Sequence, residues 1–143
     1  MKILVADDSP VFRDVLQRML TGWGYDVIVA CDGAQAWECL RTESALQLLL
    51  LDWMMPGMDG IDLCRRIRGS DRSGVYIIML TAKTDPADLL VATESGADDY
   101  VTKPLKSAEL RTRLRVACRI LELQQFGDIS SQAPQSLVYA EWG

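Results

Sequence analysis

The sequence predicts an α/β fold, a doubly wound (βα)5 arrangement in which helices cover both faces of a five-stranded parallel sheet. Two observations predict it. Short β-rich runs alternate five times with amphipathic stretches of about ten to fifteen residues, a pattern typical of right-handed βαβ units. The run at 46–51 is almost wholly apolar, which is typical of a central strand buried on both faces. We expect the common strand order 2-1-3-4-5.

Local signals place each element. The predicted strands are 2–6, 25–30, 46–51, 75–80 and 97–101. Ser9 and Pro10 suit the N-cap and first position of a helix, and apolar residues then recur at helical spacing to about residue 20. Further helices are predicted at about 33–43, 61–68, 86–95 and 107–125, and Gly96 closes the fourth.

The length of 143 residues favours one domain. We place it at 1–125, because 126–143 has no apolar periodicity and is rich in Ser, Gln, Pro and Gly. This second segment is predicted to be a tail, or a linker to an output domain outside the sequence. The start of the chain has no signal-peptide pattern and no run could span a bilayer, so we expect a soluble cytoplasmic protein without membrane contact.

Composition excludes several kinds of chemistry. The chain has no histidine, so it cannot supply Ser-His-Asp or Cys-His catalysis. Its four cysteines are widely spaced, which favours buried free thiols over a metal site. A net charge of −5 disfavours direct nucleic-acid binding by this segment.

Polar residues stand where four of the predicted strands end. Asp7 and Asp8 follow the first strand, Asp52 the third, Thr81 the fourth and Lys103 the fifth. In an open parallel sheet, ligands bind outside the carboxyl ends of the strands, where the strand order reverses. We therefore expect three carboxylates, a hydroxyl and an ammonium group to converge there.

The electrostatics of this cluster indicate its ligand. Two carboxylates about 4 Å apart repel by roughly 4 kcal/mol at an effective dielectric constant near 20. A hard divalent cation relieves the repulsion, and Mg²⁺ takes carboxylates together with phosphate oxygens. Lys103 and Thr81 suit the peripheral oxygens of a phosphoryl group. Asp52 is then the predicted phosphoacceptor, because Asp7 and Asp8 form a pair suited to the metal.

Each residue also has an ordinary interpretation. Adjacent acids such as Asp7 and Asp8 are most often a solvated turn, and Asp52 and Asp59 could be turn residues. Thr81 alone could be a strand or cap residue, and Lys103 alone a surface charge. The functional interpretation depends on all of these groups meeting at one edge of the sheet.

The same residues carry a resemblance to a known family. The segments are VADDS at 5–9, LDWMMPGMDG at 51–60, LTA at 80–82 and GADDYVTKP at 96–104. Through them, the chain to about Gln125 resembles the receiver domain of two-component response regulators, including single-domain chemotaxis-type regulators. The fold that this implies is flavodoxin-like.

The resemblance implies a role for each residue. Asp52 would accept a phosphoryl group from a sensor histidine kinase or a histidine phosphotransfer protein. Asp8, Asp52 and the backbone carbonyl of Met54 would bind Mg²⁺ directly, and Asp7 through water. Thr81 and Lys103 would hold phosphoryl oxygens.

It also implies a switch. Thr81 would move toward the phosphoryl group while Tyr100 turns inward, changing the face formed by the fourth helix, fifth strand and fifth helix. Plain core packing of Tyr100 is the alternative. The resemblance further implies a cis peptide bond between Lys103 and Pro104.

Two positions depart from common choices in the family. Met54, two residues past the acceptor, has no amide or carboxylate to orient an attacking water. Lys83, two past Thr81, could pair with phosphoryl oxygens, so we expect slow self-hydrolysis. The alternative is that both side chains are exposed and have no kinetic effect.

The last predicted helix has two apolar stripes. One comprises Leu110, Leu114, Ala117 and Leu121, and the other Val116, Ile120 and Leu123, with arginines at 111, 113, 115 and 119. A helix that is apolar on two faces is usually buried twice. This favours a homodimer or a helix that carries the signal to an output domain; the alternative is one wide core face.

Two other functions use similar features. A magnesium-dependent phosphohydrolase of the haloacid dehalogenase type also has an aspartate nucleophile, but needs a second aspartate where this chain has Met54. A flavodoxin-like cofactor binder would need a hydroxyl-rich loop after the first strand, where Asp7 and Asp8 stand. The sequence therefore predicts a phosphoacceptor switch that acts on no external substrate class, and not an enzyme in the usual sense.

Overall fold

The computed structural model describes residues 1–130 as one parallel sheet with five strands and five helices. The strands are β1 (Lys2–Ala6), β2 (Asp26–Ala30), β3 (Leu48–Asp52), β4 (Tyr76–Thr81) and β5 (Asp99–Thr102). The helices are α1 (Pro10–Gly22), α2 (Gly33–Thr42), α3 (Gly60–Arg68), α4 (Pro86–Ser95) and α5 (Ser107–Ser130). All pairings are parallel and the strand order is β2-β1-β3-β4-β5, which confirms the predicted fold.

Side-chain alternation along the strands creates two cores. Leu49 and Leu51 of β3 face α2, α3 and α4, whereas Leu48 and Leu50 face α1 and α5. Every residue of β3 is buried, as expected for a central strand of a sheet covered on both faces. One strand therefore joins the two cores and ends at Asp52.

Short polar side chains begin the helices that follow β1, β2 and β3. Ser9, the N-cap of α1, accepts a hydrogen bond from the backbone N–H of Phe12 at 3.3 Å, and Pro10 is the first helical residue. Asp59 caps α3 in the same way, consistent with an ordinary turn role. After α4, Gly96 adopts a φ of 115°, a left-handed conformation that glycine takes without steric cost.

Several predicted details were wrong. The fifth helix does not end near residue 125 but continues to Ser130, so the predicted tail begins inside a helix; its remainder, 131–143, lies outside the described residues. β5 begins at Asp99, because Ala97 belongs to the turn that closes α4 and donates its N–H to the carbonyl of Ala92.

The cysteines were also expected to be buried, but only Cys64 is. Cys31 is exposed because it lies in the loop that follows the edge strand β2, and Cys39 and Cys118 are half-buried. Within residues 1–130, no helix is both long and apolar enough to cross a membrane.

Candidate functional site

Three acidic side chains meet at the carboxyl edge of the sheet, between β1 and β3. These two strands are neighbours in register, with Ala6 opposite Leu51, so Asp7 and Asp52 follow at the same level. One carboxylate oxygen from each of Asp7, Asp8 and Asp52 lies within 4.8 Å of the other two. The structure therefore brings together the acidic residues that the sequence placed at separate strand ends.

The cluster is only partly balanced by positive charge. Asp7 and Asp52 are buried and Asp8 is exposed. The Lys103 ammonium nitrogen lies 3.1 Å from Oδ1 of Asp52 and 3.4 Å from Oδ2 of Asp7. Among residues 1–125, whose side chains the structure describes, no other ammonium or guanidinium group forms an ion pair with these three carboxylates. Three formal negative charges thus share one cation.

The pKa of Asp52 is raised above its ordinary value, mainly by burial and then by the negative charge of Asp7. Lys103 opposes both effects through its hydrogen bond and its charge. A raised pKa means that the fold disfavours the ionised carboxylate at this position. The ionised group is correspondingly more basic than an exposed aspartate.

Asp7 is more fully engaged than Asp52. Its Oδ1 accepts the backbone N–H of Ser9 at 2.9 Å and its Oδ2 accepts from Lys103. Arg13 donates to its backbone carbonyl at 2.7 Å. Within the described residues, the only side-chain hydrogen bond to Asp52 comes from Lys103. Asp52 therefore keeps carboxylate oxygen available for a ligand or a reaction.

Thr81 lies at the end of β4 and is buried. Its hydroxyl oxygen accepts the backbone N–H of Lys83 at 2.8 Å, and its carbonyl accepts the N–H of Lys103 at 2.8 Å. The peptide bond between Lys103 and Pro104 is cis, as the family resemblance implied. These bonds link Thr81 directly to the loop that carries Lys103.

The loop that follows Asp52 folds back, so that Gly60 lies against the end of β3. Trp53 donates its backbone N–H to Leu80 and accepts from the N–H of Gly60, both at 2.9 Å. A Cβ atom on Gly60 would lie 2.6 Å from the carbonyl oxygen of Asp52, so only glycine allows this approach. From the sequence, Asp59 beside Gly60 was interpreted as a turn, and Gly60 also ends the segment 51–60 that carries the family resemblance.

Two aromatic side chains that contact lysine ammonium groups were not singled out from the sequence. The Lys103 ammonium nitrogen lies 4.5 Å from the ring centroid of Phe12, and that of Lys83 lies 4.8 Å from the ring of Trp53. Phe12 fits the apolar periodicity of α1, which gave no sign of a contact with Lys103. Met54 is exposed, while Lys83 is half-buried on Trp53, so only Met54 matches the fully exposed alternative.

The predicted switch residue Tyr100 is half-buried against the core on the α2–α3–α4 side. A cavity of about 70 Å³ lies beside it, between α4 and β5. Next to it, Asp99 pairs with Arg113 of α5 at 3.5 Å. Tyr100 therefore lies at the junction of α4, β5 and α5.

The donor chemistry of the acidic cluster suits Mg²⁺. Carboxylate oxygens are hard ligands, and magnesium is usually bound by one or two carboxylates together with water and phosphate oxygens. Because both oxygens of Asp7 already accept hydrogen bonds, Asp8 and Asp52 are the better direct ligands. The residues present fit this metal.

Comparison with known proteins identifies the family to which the chain is similar. The family model of the response regulator receiver domain matches residues 3–115. The chain is 46% identical over 138 residues to the DNA-binding response regulator MtrA of Mycolicibacterium smegmatis, covering 93% of this chain and 59% of that protein. It is 41% identical over 143 residues to the transcriptional regulatory protein AruR of Pseudomonas aeruginosa, covering 89% and 58%.

A solved structure shows the same architecture. The chemotaxis protein CheY4 of Vibrio cholerae superposes with a TM-score of 0.76 at 28% identity, covering 81% of this chain and 97% of CheY4. The chain thus spans nearly all of the CheY4 chain but under two thirds of the curated regulators MtrA and AruR. With its matching family model and five-stranded fold, the chain belongs to the response regulator receiver domain family, whose members are signalling proteins of two-component systems.

Proposed function

We propose that this receiver domain accepts a phosphoryl group on Asp52 and converts that event into a change of its α4–β5–α5 face. The observation that carries the proposal is the convergence of three carboxylates within 4.8 Å beside one lysine. Such a concentration of like charge destabilises a fold unless it serves a ligand. Membership of the receiver family supports a histidine kinase or a phosphotransfer protein as the donor.

The transfer needs little from the chain beyond positioning and charge. A carboxylate oxygen of Asp52 forms a bond to phosphorus while the phosphorus–nitrogen bond of a donor phosphohistidine breaks, and the electron pair returns to the imidazole nitrogen. Lys103 neutralises charge at the acceptor, and the Thr81 hydroxyl can donate to a phosphoryl oxygen. Bound Mg²⁺ supplies further neutralisation of the phosphoryl oxygens; Asp8, Asp52 and the Met54 carbonyl would hold it, with Asp7 acting through water.

Asp52 is the best acceptor of the three acids. Asp7 is fully buried and both of its carboxylate oxygens already accept hydrogen bonds. Asp8 is exposed, which suits a metal ligand open to solvent. Asp52 combines an available oxygen with a pKa that burial and Asp7 raise, and greater basicity makes a carboxylate a better nucleophile.

The switch passes through Thr81 and Tyr100. Phosphorylation adds about one negative charge and strong acceptors at Asp52, so the Thr81 hydroxyl is drawn toward the phosphoryl group. Movement of Thr81 and the β4–α4 loop frees space that Tyr100 can fill, and the small cavity between α4 and β5 lies beside that ring. The phosphoryl group shifts this equilibrium by its difference in affinity for the two packings.

The output is carried by the face that this switch alters. Of the second predicted stripe, Val116 and Leu123 are exposed at 42% and 57%, whereas Ile120 packs against the same core as the first stripe. The two exposed residues support a homodimer, through the α4–β5–α5 face or the extended α5. We place the receiver at 1–125 and propose that 126–143 forms a tail, or a linker to an output domain; in relatives such as MtrA, the named output is DNA binding.

Intact mass spectrometry after incubation with Mg²⁺ and acetyl phosphate tests the proposal. We expect the wild type to gain one phosphoryl group and Asp52→Ala to gain none. Asp71→Ala is the matched control, because Asp71 is exposed and lies before β4 at the opposite edge of the sheet. Phosphorylation of Asp52→Ala at the wild-type level, or none in the wild type, would overturn the proposal; continuous turnover of acetyl phosphate would instead support the phosphohydrolase alternative.

The phosphorylated state is expected to be long-lived. Met54 is exposed beside the acceptor, but its thioether cannot orient an attacking water by a strong hydrogen bond. We therefore expect Met54→Gln to shorten the lifetime several-fold, and Met54→Leu, which also lacks an amide, to leave it near the wild-type value. The measurement is decay of phosphoprotein mass with Mg²⁺ present; a wild-type half-life of only seconds would contradict this expectation.

A further inference from the structure

The Lys103 ammonium group contacts an aromatic ring in addition to its two carboxylates. Its nitrogen lies 4.5 Å from the ring centroid of Phe12, and its salt bridges to Asp52 and Asp7 are 3.1 and 3.4 Å long. The electron-rich face of a phenyl ring attracts a cation that lies within about 6 Å of its centroid. Phe12 is therefore a third partner of this ammonium group. Unlike the two carboxylates, it has no oxygen that a metal ion or a phosphoryl group could occupy.

The first turn of α1 fixes the position of this ring. The backbone N–H of Phe12 donates to the N-cap hydroxyl of Ser9 at 3.3 Å. The next residue, Arg13, donates from its side chain to the carbonyl of Asp7 at 2.7 Å and from its backbone to the carbonyl of Ser9 at 3.0 Å. The Phe12 ring also packs against the core on the α1 and α5 side of the sheet. It is thus anchored to the loop that carries Asp7.

The Lys103 side chain would be free to move without such contacts. Lysine has a flexible four-carbon stem and a strongly hydrated ammonium group, and 27% of this side chain is exposed. The backbone N–H of Lys103 donates to the carbonyl of Thr81 at 2.8 Å, but this bond does not restrict the ammonium end. Among residues 1–125, whose side chains are described, the two carboxylates and the Phe12 ring are what hold it.

We propose that Phe12 is a positioning residue for the acceptor site, whose ring keeps the Lys103 ammonium at Asp52 and Asp7 instead of in solvent. The kinetic consequence rests on the phosphorylation proposed above. A larger fraction of molecules has the cation in place when a phosphoryl group arrives, and the rate of transfer scales with that fraction. Phe12 acts only through Lys103, and no covalent bond of either residue changes.

Lysine side-chain NMR in EDTA shows where the cation lies without any phosphorylation. The chain has four lysines, so selective labelling gives few signals and Lys103→Gln assigns the one in question. We expect the ring current of Phe12 to shift the ε-methylene signal of Lys103 upfield, and Phe12→Leu to abolish that shift. The signal of Lys83, which lies over the Trp53 ring at 4.8 Å, should stay unchanged and serves as the internal control. Equal Lys103 signals in the wild type and Phe12→Leu would overturn the contact.

Graded fluorination of the ring separates the electrostatic contact from packing. Fluorine withdraws electron density from the face of the ring, which weakens its attraction for a cation with little change in ring shape. The chain has two phenylalanines, Phe12 and Phe126, so biosynthetic labelling of the variant Phe126→Leu replaces the Phe12 ring alone.

The measured quantity is the initial rate of mass gain with acetyl phosphate at saturating Mg²⁺. We expect this rate to fall from the unlabelled to the monofluorinated to the trifluorinated protein. The total decrease should be about two- to five-fold, the size that a partly exposed cation–π contact supplies. Phe12→Tyr, which keeps a ring, should keep most of the wild-type rate. Equal rates across the fluorinated series would overturn the positioning role.

The magnesium dependence of the same rate distinguishes positioning from damage to the site. An ammonium group that moves into solvent leaves the carboxylates more negative. The Mg²⁺ concentration that gives half the maximal rate should therefore not rise in Phe12→Leu, although the maximal rate falls. A rise would mean that the acidic cluster itself is disturbed, and would overturn the positioning role.

Leu16→Val is the matched control for packing, because Leu16 is buried on the same helix and its replacement removes no ring. A rate loss in Leu16→Val as large as that in Phe12→Leu would overturn the role of the ring. A wild type that gains no mass would overturn the proposed function and the kinetic role of Phe12 with it. A Lys103 signal that moves in Phe12→Leu would still support the contact in that case.

Discussion

Arg72 lies at the amino edge of the sheet, in the loop before β4, and its guanidinium group is surrounded by backbone carbonyls. It donates to the carbonyls of Leu40, Glu43, Ser44 and Leu46. These groups belong to the end of α2 and the approach to β3, so one side chain satisfies acceptors that a helix end leaves unpaired. The positive charge is spread over neutral partners and needs no ligand.

At the carboxyl edge, by contrast, the charged groups are not balanced by their neighbours. Asp7, Asp8 and Asp52 converge on the single ammonium group of Lys103, and the pKa of Asp52 is raised by burial and by Asp7. Both edges contain charge removed from water, but only one edge satisfies it internally. The difference teaches that the amino edge satisfies its charge within the fold, whereas the carboxyl edge leaves negative charge unbalanced, which supports the metal and phosphoryl binding proposed above.

The largest expected effect on the free energy of unfolding comes from removing the Arg72 guanidinium group at the amino edge. Arg72→Met keeps a long apolar stem but removes every donor, so the part-buried carbonyls of Leu40 and Leu46 lose this partner, and each such group costs about 1–3 kcal/mol. We expect the free energy of unfolding to fall by about 3 kcal/mol in urea denaturation. Arg65→Met, at an exposed position of α3, should stay within about 0.5 kcal/mol of wild type. Equal midpoints for the two variants would mean that the carbonyl contacts of Arg72 add nothing.

The sequence predicted these two edges unequally. Asp7, Asp52 and Lys103 were found because each stands at or just after the end of a predicted strand, and parallel strands end at a common edge. Arg72 gave no signal, because its acceptors Leu40 and Leu46 lie 32 and 26 residues away and are backbone atoms, which carry no sequence identity. Polar residues at predicted strand ends identify side chains that converge in the fold. They do not identify side chains, such as Arg72, that bond to distant backbone atoms.

Other misses have the same kind of cause. The apolar spacing of α1 included Phe12 without distinguishing a core contact from a contact with the Lys103 ammonium. The end of α5 was placed too early because the apolar period in the sequence fades before Ser130, whereas the helical backbone continues to that residue. Apolar periodicity predicts which face of a helix is buried, but it gives no information where that helix contacts a charged group or solvent.

Magnesium should raise the free energy of unfolding by binding the acidic residues at the carboxyl edge. A ligand that binds the folded state at tenfold its dissociation constant adds about 1.4 kcal/mol to the free energy of unfolding. We expect this gain in the wild type and equally in Arg72→Met, whose acidic cluster is intact, and a much smaller gain in Asp8→Asn. Thermal unfolding with MgCl2, compared with KCl at equal ionic strength, measures it. A gain of the same size in Asp8→Asn would place the metal elsewhere.

Neutralising the acceptor should stabilise the protein without metal. Burial and Asp7 raise the pKa of Asp52 above its ordinary 3.8, so the folded state binds the proton more tightly than the unfolded state. Wild-type stability therefore falls as pH rises from about 3.8 through the raised folded-state pKa. Asp52→Asn should be more stable by roughly 1 kcal/mol near neutral pH.

This advantage should disappear below the ordinary pKa, where the carboxyl is neutral in both states. Urea denaturation in EDTA across this pH range measures the difference. Asp62→Asn, at an exposed position of α3, serves as the matched control and should differ little from wild type. If Asp52→Asn were less stable than the wild type at neutral pH, the stabilisation of Asp52 by Lys103 would exceed the cost of its burial. The charge of Asp52 would then be balanced within the fold.

The smallest expected effect concerns how the carboxyl edge holds its cation. Lys103 lies 4.5 Å from the Phe12 ring, a contact worth about 0.5–1 kcal/mol at a partly exposed site. Phe12→Leu also changes packing, so the informative quantity is the coupling in a double-mutant cycle with Lys103→Gln. We expect coupling of about 0.5 kcal/mol from urea denaturation in EDTA. Zero coupling would make Phe12 a packing residue only; measurable coupling would mean that the Phe12 ring helps to hold the Lys103 ammonium at this edge, more weakly than the backbone carbonyls hold Arg72 at the other.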